Sequence, residues 1–573
     1  MLDILLLNVH RRYLNYIPQY GGFLGIYLLA AFARQEGYQA KSFSGTLLEG
    51  QKRVDALCAT GGVAMVGGYC DYDNVSENVF LCHYIKEKYH LPVVVGGPQT
   101  TALREDFCRK SGCDALVRYE GELTLLELMN YFLEDVGDLA SIRGISFLDN
   151  GKLITNTERP LIENLDQLPF IDEDCYLEPR QFFHGLSIMT GRGCPFHCAF
   201  CHEGAHTRKV RFRSVANVLA EIDDYLAKNK SENLYILFTD DTLTLQPKRV
   251  KELCDGLVKR QKKRSFKWFC EGHVHTLYNH PEMIADLGRA GCTRIQLGIE
   301  AGTAPVLKAY GKNTTPEEIL SVVRQCRDAG IKQIYGNIIL AGANFSKEIY
   351  EQDKKFVQKL LKEGCGTAEI GVVSFWPLPE TPMTTAPADY GVKICDKEFV
   401  TSVGDFPQAE TAELDRYDIA MMQRELEERI SRQMIDMLEN WEVPTERVLS
   451  WFAKSAYREG YGGWYVKLLG QEVLYSYYEM LYLGEGQSSK DVDEIAKAHP
   501  LRVVPLYKHM QRCGDGRVEI RGEYFSKEEM DIVLLTTGKV SVEEICERTG
   551  SDNEIVMNVL TRLERRHFIV YAI

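Results

Sequence analysis

The sequence lacks three features: an excess of basic side chains, a long apolar run and an N-terminal segment of the secretory type. Its 67 Lys and Arg against 81 Asp and Glu give a net charge of −14, so it carries no general electrostatic footprint for nucleic acid. Pro18 and the Gly21-Gly22 pair interrupt its longest uncharged stretch, residues 13–33. The apolar run that remains is about a dozen residues long, shorter than the ~20 that a membrane span needs. We therefore expect no nucleic-acid partner and no membrane span.

The cysteine content and the first residues bear on the cellular compartment. Met1–Leu7 lacks the basic segment and the cleavage site of a signal peptide. The 17 cysteines are an odd number, and without a secretory signal they argue against an extracellular disulfide framework. We expect a cytoplasmic protein with reduced thiols. Because the 573 residues exceed the ~250–300 at which one hydrophobic core stops growing, we also expect two or three domains.

Residues 1–150 alternate short apolar runs with helical stretches, which predicts an α/β fold with an open, Rossmann-like sheet. In such sheets ligands bind at the carboxyl ends of the strands. Glycine at one strand end most often makes a tight turn, but glycines at three ends of one edge favour a ligand site. The glycine-bearing ends are Gly67-Gly68, Gly96-Gly97 and Glu120-Gly121. The predicted strands are Ile4–Val9, Gln39–Phe43, Val63–Gly68, Pro92–Gly97 and Ala115–Tyr119.

A connector at residues 151–184 leads to a second alternating block at residues 185–385. Its β/α units predict a partial (β/α)6 barrel, in which chemistry gathers at the carboxyl ends of the strands. Residues 386–515 are expected to be mainly helical, with one long helix at Ala409–Glu439. In residues 516–573 the order helix, turn, helix, strand predicts a winged-helix-like module. The six predicted barrel strands are Ser187–Thr190, Tyr235–Thr239, Lys267–Cys270, Arg294–Gly298, Gln333–Leu340 and Ala368–Phe375.

Three cysteines directly after the first predicted barrel strand carry the chemical signal. Cys194, Cys198 and Cys201 have the spacing CxxxCxxC. Three thiolates on one short loop can bind three irons of a 4Fe–4S cluster and leave the fourth iron open to a small molecule. Two alternatives are chance spacing among many cysteines and a zinc site completed by one nearby histidine. The candidate histidines are His197, His202 and His206.

The cysteine loop resembles the CxxxCxΦC motif of the radical S-adenosylmethionine (SAM) superfamily, with Phe200 at the aromatic position. The likeness extends through most of residues 185–385. It includes an acidic turn after strand two with Asp240 and Asp241, and a segment after strand four with Glu300. Further matching segments are Lys308–Lys312, Ala329–Ile331 and Trp376–Pro382. The resemblance implies a 4Fe–4S cluster on the three cysteines and SAM contacts from Phe200, Asp240, Asp241 and Glu300.

With residues 1–150 included, the match narrows to the cobalamin-binding (class B) branch of that superfamily. Its N-terminal domain is similar at Leu24–Ala31, Val94–Gln99 and Asp114–Leu128. The resemblance implies that cobalamin lies against Gly67, Gly68, Gly96, Gly97, Glu120 and Gly121. The chain contains no DxHxxG sequence, so cobalamin is expected without a lower histidine ligand of that motif. Tyr69-Cys70-Asp71 follows the third strand and has no assigned role.

Other polar residues near the predicted barrel mouth are weaker candidates. Glu271, His273 and His275 follow strand three, where a general base or substrate contact is possible and a structural role is the more common one. An aromatic-rich stretch, Trp451–Tyr482, could wall a substrate cavity or could simply pack its helices. The cysteines beyond the barrel are too widely spaced for an auxiliary cluster domain, so one cluster is expected.

The terminal module does not have the charge of a DNA reader. Residues 518–573 hold seven basic and eleven acidic side chains, a net charge of −4. Related small winged folds bind leader segments of modified peptides in some radical enzymes. Peptide recognition and a purely structural cap are therefore both open for this module.

The resemblance implies a C-methyltransferase that acts on an unactivated carbon of a small molecule or peptide. An electron from flavodoxin or ferredoxin would cleave SAM to a 5′-deoxyadenosyl radical, which would take a hydrogen atom from the substrate. Methylcobalamin would then donate the methyl group, and a second SAM would restore it. One alternative is a cobalamin-dependent rearrangement or cyclisation without methylation. The alternative from another class is a zinc-structured regulatory protein with a winged-helix reader.

Overall fold

A computed structural model describes most of the chain. The described residues are 1–10, 24–72, 74–179, 182, 185–202, 209–231, 234–395, 406–452, 462–471, 474–475, 477–478, 482, 502–505, 511–513, 517–520, 523–536, 540–565 and 569–572. The chain divides into two compact units, residues 1–430 with 458–460 and residues 431–457 with 461–573. Every helix of the described residues is too short or too polar to cross a membrane.

The first unit begins with a sheet, here called the N-terminal sheet. Its strands are β1 (Leu2–His10), β2 (Ala40–Thr46), β3 (Val63–Tyr69), β4 (Val93–Gly96), β5 (Ala115–Val117), β6 (Ile145–Asp149) and β7 (Lys152–Thr155). The described strands lie in the order β2-β1-β3-β4-β5-β6-β7. Pairing from β2 to β5 is parallel, which confirms the predicted strands. The β6–β7 hairpin continues the sheet with antiparallel pairing and was not predicted; its second strand lies in the stretch assigned to the connector.

Helices follow the strands of the N-terminal sheet as predicted, with one difference. The sequence predicts one helix over Ala102–Gly112, but the stretch holds the end of the helix Pro98–Leu103 and the whole of the helix Glu105–Ser111. The two are separated by Arg104, whose φ of 39° no helix accommodates. Leu5, Leu6 and Leu7 of β1 are all buried, as expected for a parallel strand covered on both faces. The helices are α1 (Leu24–Gln35), α2 (Leu47–Cys58), α3 (Val75–Tyr89), α4 (Pro98–Leu103), α5 (Glu105–Ser111) and α6 (Glu122–Glu134).

The second sheet of this unit, here called the central sheet, confirms the predicted strands of residues 185–385. Its strands are β8 (Leu186–Ile188), β11 (Tyr235–Phe238), β12 (Lys267–Gly272), β13 (Cys292–Leu297), β14 (Gln333–Leu340) and β15 (Ala368–Ser374). In the described residues they lie in the chain order β8-β11-β12-β13-β14-β15, all parallel. A two-residue pair, β9 (Gly191–Arg192) with β10 (Arg211–Phe212), lies beside the start of the cysteine loop.

Helices connect consecutive strands of the central sheet, so the carboxyl ends of the strands all lie at one edge of the sheet. The capping signals of the sequence set the helix starts: Thr315 and Glu318 form a capping box, and Ser214 and Ser346 cap their helices with a side-chain oxygen. The helices are α7 (Val215–Lys228), α8 (Pro247–Gln261), α9 (Val274–Asn279), α10 (Pro281–Arg289), α11 (Ala304–Ala309), α12 (Pro316–Asp328), α13 (Lys347–Gly364) and α14 (Pro382–Thr385).

The helix expected at Ala409–Glu439 begins later than predicted. Ala409–Thr411 is a short strand, β17, which pairs antiparallel with β16 (Val392–Ile394). The helix, α15, spans Arg416–Glu439. It starts there because the Asp415 carboxylate accepts hydrogen bonds from the backbone N–H groups of Tyr417 and Asp418.

The second unit contains the end of α15 and the C-terminal elements. The predicted order near the end is confirmed: a helix capped by Ser541 and Glu544, a left-handed Gly550, a second helix and a strand. Tyr457 and Tyr461 of the aromatic-rich stretch lie outside the described residues, and the described rings pack on one another, as Trp451 does on Trp464. The elements are α16 (Thr445–Ser450), α17 (Gly462–Leu469), β18 (Arg502–Pro505), β19 (Gln511–Arg512), β20 (Val518–Ile520), β21 (Glu523–Phe525), α18 (Lys527–Leu535), α19 (Val542–Thr549), α20 (Asn553–Arg565) and β22 (Ile569–Ala572).

Candidate active site

The cysteine loop lies at the carboxyl edge of the central sheet, directly after β8 and β9. Cys194, Cys198 and Cys201 are all half-buried. All 17 cysteines belong to the described residues, and no disulfide joins any of them. The thiols therefore stand at the edge where strand ends gather, as the sequence predicted.

Segments from the far side of the same sheet hold the loop in place. The Ala199 N–H donates to the Tyr310 carbonyl at 2.9 Å, and the Ala199 carbonyl accepts from Met383 N–H at 3.0 Å. Gly311 adopts φ 75°, and a Cβ there would stand 2.9 Å from the His197 carbonyl oxygen. The loop is thus clamped between the turn after α11 and the start of α14, and glycine is required at the closest approach.

Aromatic rings pack on both sides of the cysteine loop. Phe200, the predicted SAM contact, meets the buried Tyr310 edge to face at 5.0 Å. Phe196 stacks on the His273 ring at 3.7 Å with an interplanar angle of 9°. These contacts pack flat, largely apolar groups against the loop.

Lys312 is a site residue that the sequence analysis missed. Its ammonium donates to the Gly298 carbonyl at 2.9 Å and to the Glu300 carboxylate at 2.7 Å, and its side chain is buried. A Cβ on Gly298 would lie 2.1 Å from the ammonium, so only glycine lets the lysine approach. Burial raises the pKa of Cys198, and the nearby Lys312 charge opposes that rise. The signal was present in the sequence, in the segment Lys308–Lys312.

Glu300, for which a SAM contact stays a prediction, lies shortly after the end of β13. Glu300 has φ 61° and joins β13 to β14: its N–H donates to the Asn337 carbonyl and its own carbonyl accepts from Ile339 N–H. Behind it, the buried Asp353 accepts the Gly302 N–H at 2.6 Å, and burial raises the pKa of Asp353 to about 7. The Glu300 carboxylate is therefore fixed by backbone bonds on one side and by the Lys312 ion pair on the other.

The two adjacent aspartates of the acidic turn have different surroundings. The Asp240 carboxylate accepts from the Thr190 N–H at 2.9 Å and from the Thr190 hydroxyl at 2.7 Å, so it fastens the end of the first strand. Burial raises the pKa of Asp240 despite these bonds. Asp241 instead borders the cavity described below. A SAM contact remains the prediction for both aspartates. The hydrogen bonds of Asp240 to Thr190 also fit a role in holding the end of the first strand in place.

The three weaker candidates after strand three separate in space. Glu271 is on β12 at the mouth of the sheet, and burial, with Asp241 nearby, raises the pKa of Glu271 to about 7. His273 is buried against Phe196, and burial lowers the pKa of His273 to about 3, so the ring is neutral. His275 lies on α9 beside Asn279 and Asn313, with Glu318 at 3.6 Å. A substrate contact stays a prediction for Glu271, which is half-buried near the end of β12.

A cavity of about 390 Å³ joins the N-terminal sheet to the cysteine loop. That volume is within the range of small-molecule sites, roughly 300–1,000 Å³. All six residues predicted to lie against cobalamin line it: Gly67, Gly68, Gly96, Gly97, Glu120 and Gly121. The opposite side is formed by Met189, Gly191, Arg192, Gly193 and His202 from the region of the cysteine loop.

The glycines of this cavity have more than one use. Gly97 makes the turn into α4 with φ 119°, and a Cβ there would lie 2.3 Å from the Cys70 carbonyl oxygen. Gly67 is within β3, where a Cβ would meet the Leu6 side chain at 2.5 Å. At Gly121 a Cβ would have ordinary contacts, 3.4 Å from Leu29 at the closest. The fold itself needs glycine at Gly97, where a Cβ would meet backbone, whereas the neighbour of Gly67 is the end of a flexible leucine side chain. Gly121 borders the cavity without such a constraint.

The carboxylate of Glu120 is engaged with protein groups. It pairs with Arg192 at 3.0 Å and Arg211 at 2.7 Å, and accepts the Ile162 N–H at 2.8 Å, while Arg192 also pairs with Glu122. Burial alone would raise the pKa of Glu120, and the guanidinium groups outweigh it, so its pKa lies below the ordinary value. This network, missed from the sequence, fastens the N-terminal sheet to the residue two places before Cys194.

In the described residues no three His, Cys, Asp or Glu side chains are grouped so as to hold a single metal ion. His206, one of the zinc candidates, lies outside the described residues. A 4Fe–4S cluster makes a different demand, because each of its cysteines binds a different iron.

Comparison with known proteins gives a consistent result. The sequence profile of the radical SAM superfamily matches residues 188–357. An uncharacterized methyltransferase of Pyrococcus horikoshii is 31% identical over 296 residues, 50% of this chain and 59% of that protein. An anaerobic magnesium-protoporphyrin IX monomethyl ester cyclase of Cereibacter sphaeroides is 27% identical over 246 residues, 42% of this chain and 40% of that protein. The chain thus spans about half the length of these curated relatives.

Among solved structures, the cobalamin-dependent S-adenosylmethionine radical enzyme OxsB with aqua-cobalamin bound is similar over 98% of this chain and 80% of its own, with 17% identity and a TM-score of 0.60. At that identity the likeness concerns the fold. Residues 188–357 therefore form a domain of the radical SAM superfamily, and the chain shares its fold with this solved enzyme.

Proposed function

We propose that this chain is a cobalamin-dependent radical SAM enzyme that methylates an unactivated carbon. The observation that carries the proposal is the cavity that reaches from the glycines of the N-terminal sheet to the loop of Cys194, Cys198 and Cys201. Such a cavity suits a reaction in which a methyl donor on one side and a radical source on the other meet one substrate. The relatives named methyltransferase support the same class.

The residues of the cysteine loop fit a 4Fe–4S cluster. The three thiols are half-buried on one loop, and Lys312 supplies a positive charge beside Cys198 that favours the thiolate. When bound, the cluster with SAM supplies a radical that abstracts hydrogen, and cobalamin supplies the methyl group. Lys312 orients the Glu300 carboxylate, which we propose accepts hydrogen bonds from the hydroxyl groups of the SAM ribose.

The cavity residues fit cobalamin on the side of the N-terminal sheet. Gly121 borders the cavity, where a Cβ would stand 3.4 Å from Leu29, and the helix α1 lines the wall with Leu24 and Leu28. Among the described residues of the lining, the histidine is His202, which comes from the cysteine loop and not from the sheet. We therefore propose that cobalamin binds without a histidine from the sheet as its lower ligand.

Two groups of side chains limit the access of water to the site. The stacked Phe196 and His273 rings cover one side of the cysteine loop, and the paired Glu120, Arg192 and Arg211 side chains close the junction of the two sheets. Reactive species would be quenched by bulk water, so closure of this junction serves the chemistry.

Finer features belong to the same proposal. The central sheet acts as a partial (β/α)6 barrel, and residues 516–573 as a winged-helix-like module that recognises a peptide or caps the fold. Flavodoxin or ferredoxin supplies the electron, and the enzyme works in the cytoplasm with reduced thiols. The acidic balance of residues 518–573 supports a partner other than nucleic acid.

The proposal is tested by reductive cleavage of SAM. After anaerobic reconstitution with iron and sulfide, the wild-type chain should form 5′-deoxyadenosine from SAM on addition of dithionite, and Cys198→Ala should lose both iron and cleavage. Cys546→Ala, in the second unit, is the matched control and should keep both. Cleavage that survives in Cys198→Ala contradicts the assignment, as does zinc in place of iron in the wild-type protein, which favours a zinc-structured regulatory protein.

A cyclisation without methylation is the second candidate, favoured by the similarity to a protein named as a cyclase. The two differ in product mass. With deuteromethyl SAM, methylation adds a labelled methyl group to the substrate, whereas cyclisation leaves no label.

A further inference from the structure

The two faces of the central sheet differ in chemistry. The face covered by helices is apolar and fully buried, for example at Trp268, Ile295, Ile334 and Ile338. The opposite, concave face is polar. Register pairs Phe269 with Arg294, Glu271 with Gln296, Gln296 with Tyr335, and Asn337 with Gly371, so these side chains share that face.

The deeper part of the concave face is filled by groups that satisfy one another. Arg294 lies between the rings of Phe269 and Tyr335, 5.2 Å and 5.3 Å from their centroids. Gln333 donates to the Glu369 carboxylate at 2.6 Å. This part of the face therefore forms a closed floor.

Three side chains nearer the carboxyl ends of adjacent strands have open hydrogen-bonding capacity. Glu271 and Gln296 are half-buried register neighbours whose side chains make no hydrogen bond to any residue that the structure describes. Asn337 accepts the Tyr335 hydroxyl at 2.8 Å through Oδ1, and its Nδ2 makes no hydrogen bond within the described part of the chain. A ligand that displaces water from these half-buried groups must offer them hydrogen bonds in return, since a polar group left unpaired costs free energy.

The chemistry of these three groups is complementary to an amide. The Glu271 carboxylate can accept an N–H, the Asn337 Nδ2 can donate to a carbonyl, and the Gln296 carboxamide can do both. A hydrocarbon would leave all three unpaired. A carboxylate would meet the Glu271 carboxyl with Asp241 nearby, while the Arg294 guanidinium is held between two rings in the deeper part of the face. At Gly371 a Cβ would lie 2.3 Å from the Asn337 Oδ1 and 2.7 Å from the Tyr335 hydroxyl, so the glycine leaves this hydrogen bond intact.

We propose that the substrate of this site carries an amide, from a peptide bond or from a small carboxamide, which is held by Glu271, Gln296 and Asn337 on the concave face of the central sheet. The inference rests on the proposed function, because it takes this face as the place where the substrate is bound. It names the substrate class that the proposed function leaves open, and it separates this enzyme from one built for an apolar lipid.

The experiment measures binding of small probes to the full-length reconstituted protein by saturation-transfer difference NMR. The probes are N-acetylglycine N-methylamide, hexanamide, methyl hexanoate and hexanoate. We expect one of the two amides to bind at least about fivefold more tightly than the ester and the carboxylate. Preference for the first points to a peptide, and preference for hexanamide to a small carboxamide. Equal or tighter binding of the ester or the carboxylate overturns the proposal.

Variants assign the binding to this face. Glu271→Met and Gln296→Met keep side-chain length and should each weaken amide binding about five- to tenfold. Glu271→Gln should restore most of it, because its amide oxygen still accepts an N–H. Glu369→Met is the matched control and should leave probe affinity unchanged. Unchanged affinity in Glu271→Met and Gln296→Met overturns the proposal.

SAM is the remaining competitor for these groups. The amide should still bind at saturating SAM; displacement of the amide would assign the three residues to the SAM site and overturn the proposal. Iron content and SAM cleavage of the same preparations are read separately. If iron content and SAM cleavage are lost while amide selectivity stays intact, only the proposed function is overturned. If amide selectivity is lost while iron content and SAM cleavage stay intact, only the substrate inference is overturned.

Discussion

The two parallel sheets of the first unit place their chemistry in opposite ways. The N-terminal sheet is apolar in its strands and presents glycine at its carboxyl edge, so what it offers a ligand is space. The central sheet is apolar on its helix face alone and presents carboxylates, amides and a guanidinium on the other. The first therefore suits a large preformed cofactor, and the second suits a substrate read by hydrogen bonds.

The junction between the sheets is where these roles meet. Arg192, two residues before the first cysteine of the loop, and Arg211 both pair with Glu120, which lies just before α6. Arg104 makes a further, more exposed pair with Glu380 at 3.3 Å. Paired charges at a buried junction fix one geometry, because any other arrangement would leave a charge unpaired.

The largest effect is expected when the space at the carboxyl edge of the N-terminal sheet is filled by a side chain. Gly121→Leu should abolish retention of hydroxocobalamin after desalting, because its side chain extends into the cavity, while iron content stays at the wild-type level. Gly121→Ala, with a Cβ at ordinary contact distance, should retain cobalamin. The visible spectrum and metal analysis give both values. Full retention in Gly121→Leu would show that cobalamin does not use this edge.

Arg192→Met removes the ion pairs of Arg192 with Glu120 and Glu122 at the junction between the two sheets. The variant leaves Glu122, and in part Glu120, as buried carboxylates without their partner, so the free energy of unfolding of the first unit should fall by about 3 kcal/mol. Lys308→Met, an exposed position, should change it by less than about 0.5 kcal/mol. Urea unfolding followed by fluorescence measures the difference. A loss no larger than that of the control would mean that the network contributes no stability.

Lys312→Met tests the charge beside the cluster loop. Loss of the ammonium removes the partner of Glu300 and the charge that favours the Cys198 thiolate, so SAM affinity should fall about tenfold. Lys312→Arg keeps the charge but does not fit beside Gly298, and should be intermediate. Equilibrium dialysis of SAM gives the affinity, and iron analysis shows whether the cluster is retained. Wild-type SAM affinity in Lys312→Met would remove Lys312 from the site.

The smallest expected effect concerns the buried acid behind the site. Because burial raises the pKa of Asp353 to about 7, the folded state holds a proton that the unfolded state loses above about pH 4, and stability falls as pH rises from about 4 to 7. Asp353→Asn keeps the acceptor for Gly302 and removes this cost. It should raise Tm by a few degrees at pH 8 and have no such effect at pH 4.5. An equal change at both pH values would contradict the raised pKa.

The sequence predicted the parallel strands of both sheets well, because such strands are apolar runs separated by helices whose capping residues are recognisable. It also predicted which residues border the cavity, from glycines at strand ends. It missed the role of Lys312, although the segment Lys308–Lys312 was among those that matched. It missed Arg192 and Arg211, since a single arginine has no sequence pattern that reveals a partner far along the chain. It likewise missed the break at Arg104 and the late start of the helix at Arg416, which depend on local backbone geometry.

The role of Glu271 shows the same limit. The sequence placed it after strand three together with His273 and His275, and gave no reason to prefer one of them. Only the register of β12 against β13 shows that Glu271 shares a face with Gln296, while His273 is buried under Phe196. Alternation along one strand is readable from sequence, but alignment between strands is a property of the fold.

The central claim is that one chain holds both a cluster and cobalamin, and cofactor stoichiometry tests it most directly. After anaerobic reconstitution, addition of hydroxocobalamin and desalting, iron and cobalamin per chain are read from metal analysis and the visible spectrum. The account predicts about four irons and about one cobalamin per chain. Four irons without cobalamin would contradict it, because the cavity at the glycine edge would then serve another ligand.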